Sequence, residues 1–392
     1  MNKNSSLVYP WVAQDEKRHI LYQFKNDNIL RTSAGELSDL SSLSFHCSFG
    51  FNNKVIAKQI EKQASKSLLS VSKFEQPIQT DCSAKLLELL NLKGHIFFTL
   101  SGSESIEHGL KICRQYTKRD IILSRRKSYH GATQGALQIT GDWRRNIHFL
   151  PTTGHEWIPE PEDDPDFSKT FQIIKNLGPE KIAGICLESI TAKNGVYILP
   201  LGWIKGLKKV QKEFGIKLIF DEVVCGFYRT GKPFGFQHYP LKPDIVCMGK
   251  AISNGMAPLG AVFFSVEIIN SFKNTPFLSG LTNYAHPLSL SAFVGVLNFT
   301  SSKIFKKRYN ENQKIILNWL KSEKSNINTF RGKGFLFGID LKNKIELSEL
   351  KKLKINIVVN EKTLIFCPII SLPKKTLISD LKRLSKFIEG NK

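Results

Sequence analysis

From about residue 95 the chain alternates short, continuous apolar runs with stretches of helical apolar spacing. No other feature restricts the fold as much. The runs are HIFFTL (95–100), DIILS (120–124), IAGICLES (182–189), IKLIFDEV (216–223), DIVCMG (244–249) and GAVFFSV (260–266). Between the first two lies SESIEHGLKICRQYT, which sets Ile106, Leu110 and Cys113 on one helical stripe. Runs of this length without polar alternation predict strands buried on both faces. Strands separated by helices predict βαβ units, and so an α/β fold with a mainly parallel sheet.

The flanks read differently. DNILRTSAGELSDLSS (27–42) predicts short strands and turns, and residues 50–69 predict an amphipathic helix with Val55, Ile56 and Ile60 on its apolar side. Beyond residue 300 the chain is basic and helical, then ends in NIVVN, LIFCPI and a helix over LISDLKRLSKFI. We therefore expect residues 51–300 to form a large domain, with 1–50 and 301–392 contributing to a smaller α+β domain. TTGHEWIPEPEDDPDF (152–167) is rich in Pro and acids and predicts a solvated loop.

The formal net charge is +22, but the lysines are spread through segments that also carry helical apolar spacing, so they predict solvated helix faces. No RNA-binding or zinc-finger pattern accompanies them, and nucleic acid is not an expected partner. The apolar runs are far too short to span a bilayer, and MNKNSSLVYPWV lacks a long apolar stretch, so neither a membrane partner nor a signal peptide is expected. Seven scattered cysteines without C-x-x-C spacing predict reduced, buried thiols and a cytoplasmic protein.

In open parallel sheets, chemistry gathers at the carboxyl ends of the strands. After HIFFTL come Ser101, Gly102 and Ser103, opening a helix: backbone N–H groups and hydroxyls suited to a phosphate. After DIILS come Tyr129 and His130, and an aromatic there can cover a planar ring. Asp221 ends KLIF, an expensive place for an acid unless it meets a cation. Lys250 ends DIVCMG among Gly249, Ala251 and Gly255. A phosphate cradle, an aromatic cover, a buried carboxylate and a buried lysine together are what pyridoxal 5'-phosphate requires. The lysine forms a Schiff base with the aldehyde, in a site that favours its neutral amine. The carboxylate keeps the pyridine nitrogen protonated, so that the ring can accept electrons.

The stretch from IFDEVVCGFYRTG through PDIVCMGKAISNGMAPLGA resembles the signature of the class III (ω-type) pyridoxal-phosphate aminotransferases, of fold type I. SGSES, SYHG, LTNYAHPLSLSA and RGKGFLFGIDL resemble further motifs of that family, in the same order. The resemblance implies an aminotransferase that moves an amino group from a donor to a keto or aldehyde acceptor. It assigns Lys250 to the Schiff base and Asp221 to the pyridinium nitrogen. Gly102 and Ser103 would hold the phosphate, Tyr129 and Val223 would cover opposite ring faces, and Glu188 would lie near the ring hydroxyl. Thr282 would reach the phosphate in the neighbouring subunit, which implies a homodimer with shared active sites. Arg229 is expected to be structural.

Several positions depart from the pattern. Ser189 follows Glu188 where Pro is usual, and Tyr228 replaces a Gly. Val224 stands beside the ring where a polar residue is often found, and no Arg precedes the C-terminal strand to grip an α-carboxylate. These departures predict an amine, or an amino group distant from any carboxylate, as one substrate, with Phe45, Tyr9 and Trp11 in its pocket. Lys362 or Arg331 would be the alternative grips for a carboxylate. An aminomutase of the glutamate-semialdehyde type, a diaminopelargonate-type aminotransferase and a catalytically silent scaffold are the other readings.

Overall fold

The computed structural model describes residues 7–13, 16, 18–66, 68–70 and 73–391. Near the N-terminus, β1 (Leu21–Lys25), β2 (Ile29–Thr32) and β3 (Gly35–Asp39) form an antiparallel meander. The next helix, Lys54–Ala64, is shorter than its apolar spacing suggested. The Asn53 side chain caps it, accepting from the N–H groups of Val55 and Ile56 at 3.1 and 3.3 Å. Ile56 is buried, but Val55 is 40% exposed and leaves the expected apolar face.

The central sheet has seven strands: β4 (Gly94–Thr99), β5 (Ile121–Arg125), β6 (His155–Ile158), β7 (Ile182–Glu188), β8 (Lys217–Asp221), β9 (Ile245–Met248) and β10 (Gly260–Ser265). Their spatial order is β4-β10-β9-β8-β7-β5-β6. Five strands, β5 to β9, run parallel. Only β10 is reversed, antiparallel to both β9 and β4. Two reversals restore direction, so β4 runs in the same sense as β9. The carboxyl ends of six strands therefore share one edge. Every residue of β7 and β8 is buried, as runs without alternation require. The helix Gly102–Thr117 buries Ile106, Leu110 and Cys113 against the sheet, and Leu201–Phe214 buries Trp203, Leu207 and Val210.

Strand β6 corrects the expected solvated loop at 152–167. Residues 155–158 pair in parallel with β5. Asp164 is buried, and its carboxylate accepts from the Lys169 and Thr170 N–H groups and the Thr170 hydroxyl. Glu160 is buried too, 3.7 Å from Arg125. Acids with this many local donors can be buried, a fact composition does not reveal.

The C-terminal part forms an antiparallel sheet from β11 (Thr329–Lys333), β12 (Leu336–Asp340), β14 (Val358–Asn360) and β15 (Thr363–Phe366), in the order β11-β12-β15-β14. Strand β13 (Ile355–Asn356) instead joins the N-terminal meander, parallel to β3. Helix Pro287–Ser301 packs against Lys54–Ala64; Trp319 of helix Lys303–Ser322 packs on Phe366 of β15, and Asp380 of helix Lys374–Gly390 accepts from Asn28 and Ser38 beside the N-terminal meander. In Lys303–Ser322 only Phe305, Asn312, Ile316 and Leu320 are buried, and its basic residues lie on the outer side. All seven cysteines are free and buried. No single helix among the described residues is long and apolar enough to cross a membrane.

Candidate active site

The shared strand edge opens into a cavity of about 380 Å³. Gly102, Ser103, Tyr129, Glu188, Asp221, Val223 and Lys250 all line it, so seven of the eight expected site residues meet at one place. Thr282 does not. It is exposed, in the loop before the helix Pro287–Ser301.

The cradle comes from the first turn of the helix Gly102–Thr117. Ser101 caps that helix, its hydroxyl accepting from the Glu104 N–H at 3.2 Å. A side chain at Gly102 would strike the Val223 methyls at 2.8 and 2.9 Å. Gly131 has φ +145°, and a Cβ there would lie 2.5 Å from the Ser103 hydroxyl. Both glycines thus let Val223 and Ser103 pack against backbone more closely than any side chain would permit.

Asp221, the last residue of β8, is held on both carboxylate oxygens. Oδ1 accepts from the Val223 N–H at 3.0 Å, and Oδ2 lies 2.8 Å from His130 Nδ1. His130 is itself placed by its backbone N–H, which donates to the Thr140 hydroxyl at 2.9 Å. Its Nε2 is buried with no partner among the described residues. The sequence marked His130 as part of a motif but gave it no task, and the fold makes it the orienting partner of Asp221.

Glu188, the last residue of β7, accepts from the Ala192 and Tyr129 N–H groups at 3.0 and 3.4 Å. Burial raises its carboxyl above the usual range, and Asp221 adds to the rise while His130 opposes it.

Lys250 follows β9 with φ +49°, a left-handed conformation that side chains other than glycine seldom adopt. Its ammonium has no hydrogen bond or ion pair among the described residues and faces the Phe45 ring, 5.6 Å from the centroid. Burial pulls the amine below the ordinary lysine range, and the Asp221 and Glu188 carboxylates partly restore it. The result favours a neutral, nucleophilic amine.

Phe45 reaches this position through a left-handed turn. Ser42, Leu43, Ser44 and Phe45 have φ of 49°, 50°, 58° and 77°, each costing about 1–2 kcal/mol. Asp39 holds the turn by accepting from the Leu43 N–H and the Ser41 hydroxyl, both at 2.8 Å. The Ser42 hydroxyl donates to the Cys367 carbonyl at 2.7 Å.

Arg229 is structural, as expected. Fully buried, it donates to the Pro368 and Phe335 carbonyls at 2.6 and 3.3 Å and to the Ser48 and Ser42 hydroxyls at 2.8 and 3.0 Å. It therefore ties the loop after β8 to both ends of the chain. Tyr228 keeps that loop's left-handed turn at φ +69° and packs edge-on against Phe305.

The residues expected in a substrate pocket do not all reach the cavity. Phe45, Trp11 and Val224 line the cavity, but Tyr9 does not; the Arg18 guanidinium lies over its ring. Lys362 and Arg331 are also absent from the cavity wall. Arg331 pairs with Asp340 and covers Tyr197. The cation in the wall is Arg144, with Lys193 beside it. Neither could be told from a solvated basic residue in the sequence. The other missed group is Glu222, fully buried. It accepts from the Gly235 and Phe236 N–H groups, both at 2.7 Å, and from the Ser189 hydroxyl. Ser189, where a proline is usual, thus has a partner of its own.

The class-III aminotransferase family model matches residues 13–386. Two similar proteins are the uncharacterized aminotransferases YhxA and YodT of Bacillus subtilis (strain 168). The first is 33% identical over 298 residues, covering 70% of this chain and 66% of that protein. The second is 31% identical over 331 residues, covering 77% and 74%. Among solved structures, taurine:2-oxoglutarate aminotransferase from Bifidobacterium kashiwanohense, in complex with PLP and glutamate, superposes with a TM-score of 0.90 at 24% identity, covering 97% of this chain and 94% of that one. An (S)-enantioselective ω-transaminase from Thermomicrobium roseum gives 0.87 at 24%, covering 98% and 96%. At such identity the structures speak for the fold, and the family match carries the chemistry: the chain belongs to the class-III aminotransferases, pyridoxal-phosphate-dependent transaminases of fold type I.

Proposed function

We propose that the cavity is the active site, with Lys250 holding the cofactor and Asp221, Ser103, Gly102, Tyr129, Val223 and Glu188 positioning it. The observation that carries this reading is the convergence of an unpaired lysine, a two-point-held carboxylate and a helix N-terminus bearing Gly102 and Ser103 on one cavity. These features fit pyridoxal phosphate. The helix N-terminus and the Ser103 hydroxyl suit the phosphate, the space between Tyr129 and Val223 suits a flat ring, and the Asp221 carboxylate suits a protonated ring nitrogen.

When bound, the cofactor supplies an electron sink for the carbon that loses its proton. The rest falls to the chain. Asp221 keeps charge against the ring nitrogen, and His130 holds that carboxylate in place. Lys250 Nζ, whose neutral form burial favours, takes the proton from one carbon and returns it to another. Phe45, Val224 and Val358 keep water from that amine. Overall, R–CH2–NH2 and O=CR′R″ become R–CH=O and H2N–CHR′R″, so the donor is oxidised as the acceptor is reduced. A neighbour in fold is named for such a pairing of an amine with 2-oxoglutarate, and this reading follows the same pattern.

Thr282 serves the neighbouring subunit's phosphate in this reading, in a homodimer. In support, the Gln79 side chain donates to the Ala285 carbonyl at 3.2 Å and the Ser70 hydroxyl to the Tyr284 carbonyl, bringing Ser70 and Gln79 beside the Thr282 loop. Leu69, Phe74 and Leu278 are each about 70% exposed there, and a second copy would cover them. The seven free thiols suit a reducing compartment, the cytoplasm.

Borohydride reduction of the cofactor-loaded enzyme, then peptide mass spectrometry, tests the assignment. The pyridoxyl group should lie on Lys250, and a group elsewhere would overturn the reading.

A further inference from the structure

One cluster of cations lies outside the active-site cavity and has no part in amine transfer. It adjoins a second cavity of about 570 Å³, which shares no described lining residue with the first. One wall of it is Trp157, in β6. The guanidinium carbons of Arg126 and Arg145 lie 5.2 and 5.0 Å from the centroid of that ring. Arg126 follows β5, and Arg145 ends the short turn Trp143–Arg145. His155 packs edge-on against Trp157, with centroids 4.3 Å apart, and its Nε2 lies 2.9 Å from the Ser124 hydroxyl. The ring that carries both arginines is thus anchored to the sheet.

The charges here do not balance. Arg144, one residue earlier, has the Asp142 carboxylate at 3.2 Å, shared with Lys193 at 4.0 Å. The guanidiniums of Arg145 and Arg126 make no hydrogen bond or ion pair among the described residues, and Arg145 Nε is buried. Glu156, the acid among the described lining residues, is exposed and pairs with neither. Burial lowers the Arg145 guanidinium from its ordinary value, and Arg126 adds to the fall. Burial, with Arg145 next, draws the His155 imidazole down to about 3, so it stays neutral. A solvated arginine resting on a tryptophan needs no ligand. Two on one ring, with a buried Nε and no carboxylate partner, repel each other until an anion joins them.

The ligand's chemistry follows from the donors. Stacking occupies the face of a guanidinium and leaves its edge donors in plane, where they meet an oxyanion two at a time. Two guanidiniums match a doubly charged group better than a carboxylate. A phosphate monoester carries about −1.5 to −2 at pH 7. His148 and Thr152 add neutral hydrogen-bonding groups to the same wall, and Leu150 and Pro151 give it an apolar side. That mixture, and a volume well beyond a bare phosphate, suit an organic substituent on the phosphate.

We propose that Arg145 and Arg126, held by Trp157, form a phosphate-binding site separate from the active-site cavity, suited to the monoester of a small organic molecule. Free inorganic phosphate shares this chemistry, and the test separates the two.

The test uses cofactor-saturated holoenzyme, so that added phosphate does not report on the cofactor's own site. Inorganic phosphate, phenyl phosphate and ribose 5-phosphate are titrated by calorimetry at constant ionic strength, with benzoate as the carboxylate control. At least one phosphate should bind saturably, and more tightly than benzoate by roughly 10-fold or more. A tighter monoester assigns the site to an organic phosphate, and tighter inorganic phosphate assigns it to the free ion. Arg145→Ala and Arg126→Ala should each weaken binding by roughly 10- to 10²-fold, the worth of charged hydrogen bonds. Arg145→Lys should recover only part, for want of the planar fork. Lys208→Ala, which removes an exposed cation elsewhere, should leave the affinity unchanged. Retained cofactor absorbance and an unchanged melting temperature will show that the variants are folded. Heats that do not saturate, benzoate bound as tightly as phosphate, an affinity that survives both alanine changes, or an equal loss in Lys208→Ala would overturn the proposal.

Discussion

His130 Nδ1 lies 2.8 Å from Asp221 Oδ2, and both side chains are buried at the end of β8. The second oxygen of Asp221 takes the Val223 N–H at 3.0 Å, so the carboxylate cannot rotate. Its charge, not its shape, is what a protonated ring nitrogen needs. Asp221→Asn should therefore still bind cofactor but lose roughly 10²-fold or more in kcat. Half-reaction rates in stopped flow check this, and a rate near wild type would assign the role to another group.

Gly102→Ala should weaken cofactor binding by about 10-fold or more, since the new methyl would lie 2.8 Å from a Val223 methyl and push in the wall of the ring site. The double variant Gly102→Ala/Val223→Ala should regain part of the affinity. Equilibrium titration of apoenzyme measures both.

Glu222 should make stability fall with rising pH. Burial raises its carboxyl to about 7 in the folded protein, from an ordinary 4.5. The folded state then binds this proton more tightly than the unfolded one. The associated stability is complete below about pH 4.5 and is lost as pH rises through about 7, a span worth about 3 kcal/mol. Glu188, also raised, acts in the same direction. Glu222→Gln should flatten the decline measured by urea unfolding from pH 5 to 8. It should also cost about 2 kcal/mol at pH 5, because an amide NH2 would face the Gly235 or Phe236 N–H. A slope equally steep in the variant would place the titration elsewhere.

Arg229→Met should destabilise the protein by about 3–5 kcal/mol, because four acceptors from both chain ends lose their donor. The left-handed turn carrying Phe45 should loosen as well, since Ser42 loses its guanidinium partner. Thermal melts give the first effect, and hydrogen exchange at Leu43 to Phe45 gives the second.

If Thr282 serves the partner's site, mixing Lys250→Ala with Thr282→Val subunits should restore one complete site per heterodimer. At limiting cofactor the mixture should outperform either variant alone. No gain on mixing, or sedimentation as an active monomer, would exclude a shared site.

The apolar runs determined six of the seven strands of the central sheet on their own, because a strand buried on both faces has no polar alternation to hide it. They also located the chemistry. Asp221 and Lys250 are legible in one dimension because an acid or an amine at the end of such a run is too costly to be incidental. Strand β6 escaped because four residues, HEWI, are too few for periodicity, and its flanking acids are satisfied by donors that only folding brings near. The reversal of β10 was not legible either, since a buried antiparallel strand reads like a parallel one. Arg144 shows the same limit more sharply. In the sequence it is one basic residue among 56. Three aromatic rings, one of them more than 130 positions away at Trp11, and an outnumbered carboxylate give it a fixed plane and a surplus charge. A side chain's type is local, but its desolvation and its partners are set by residues distant in the chain, and those only the tertiary structure decided.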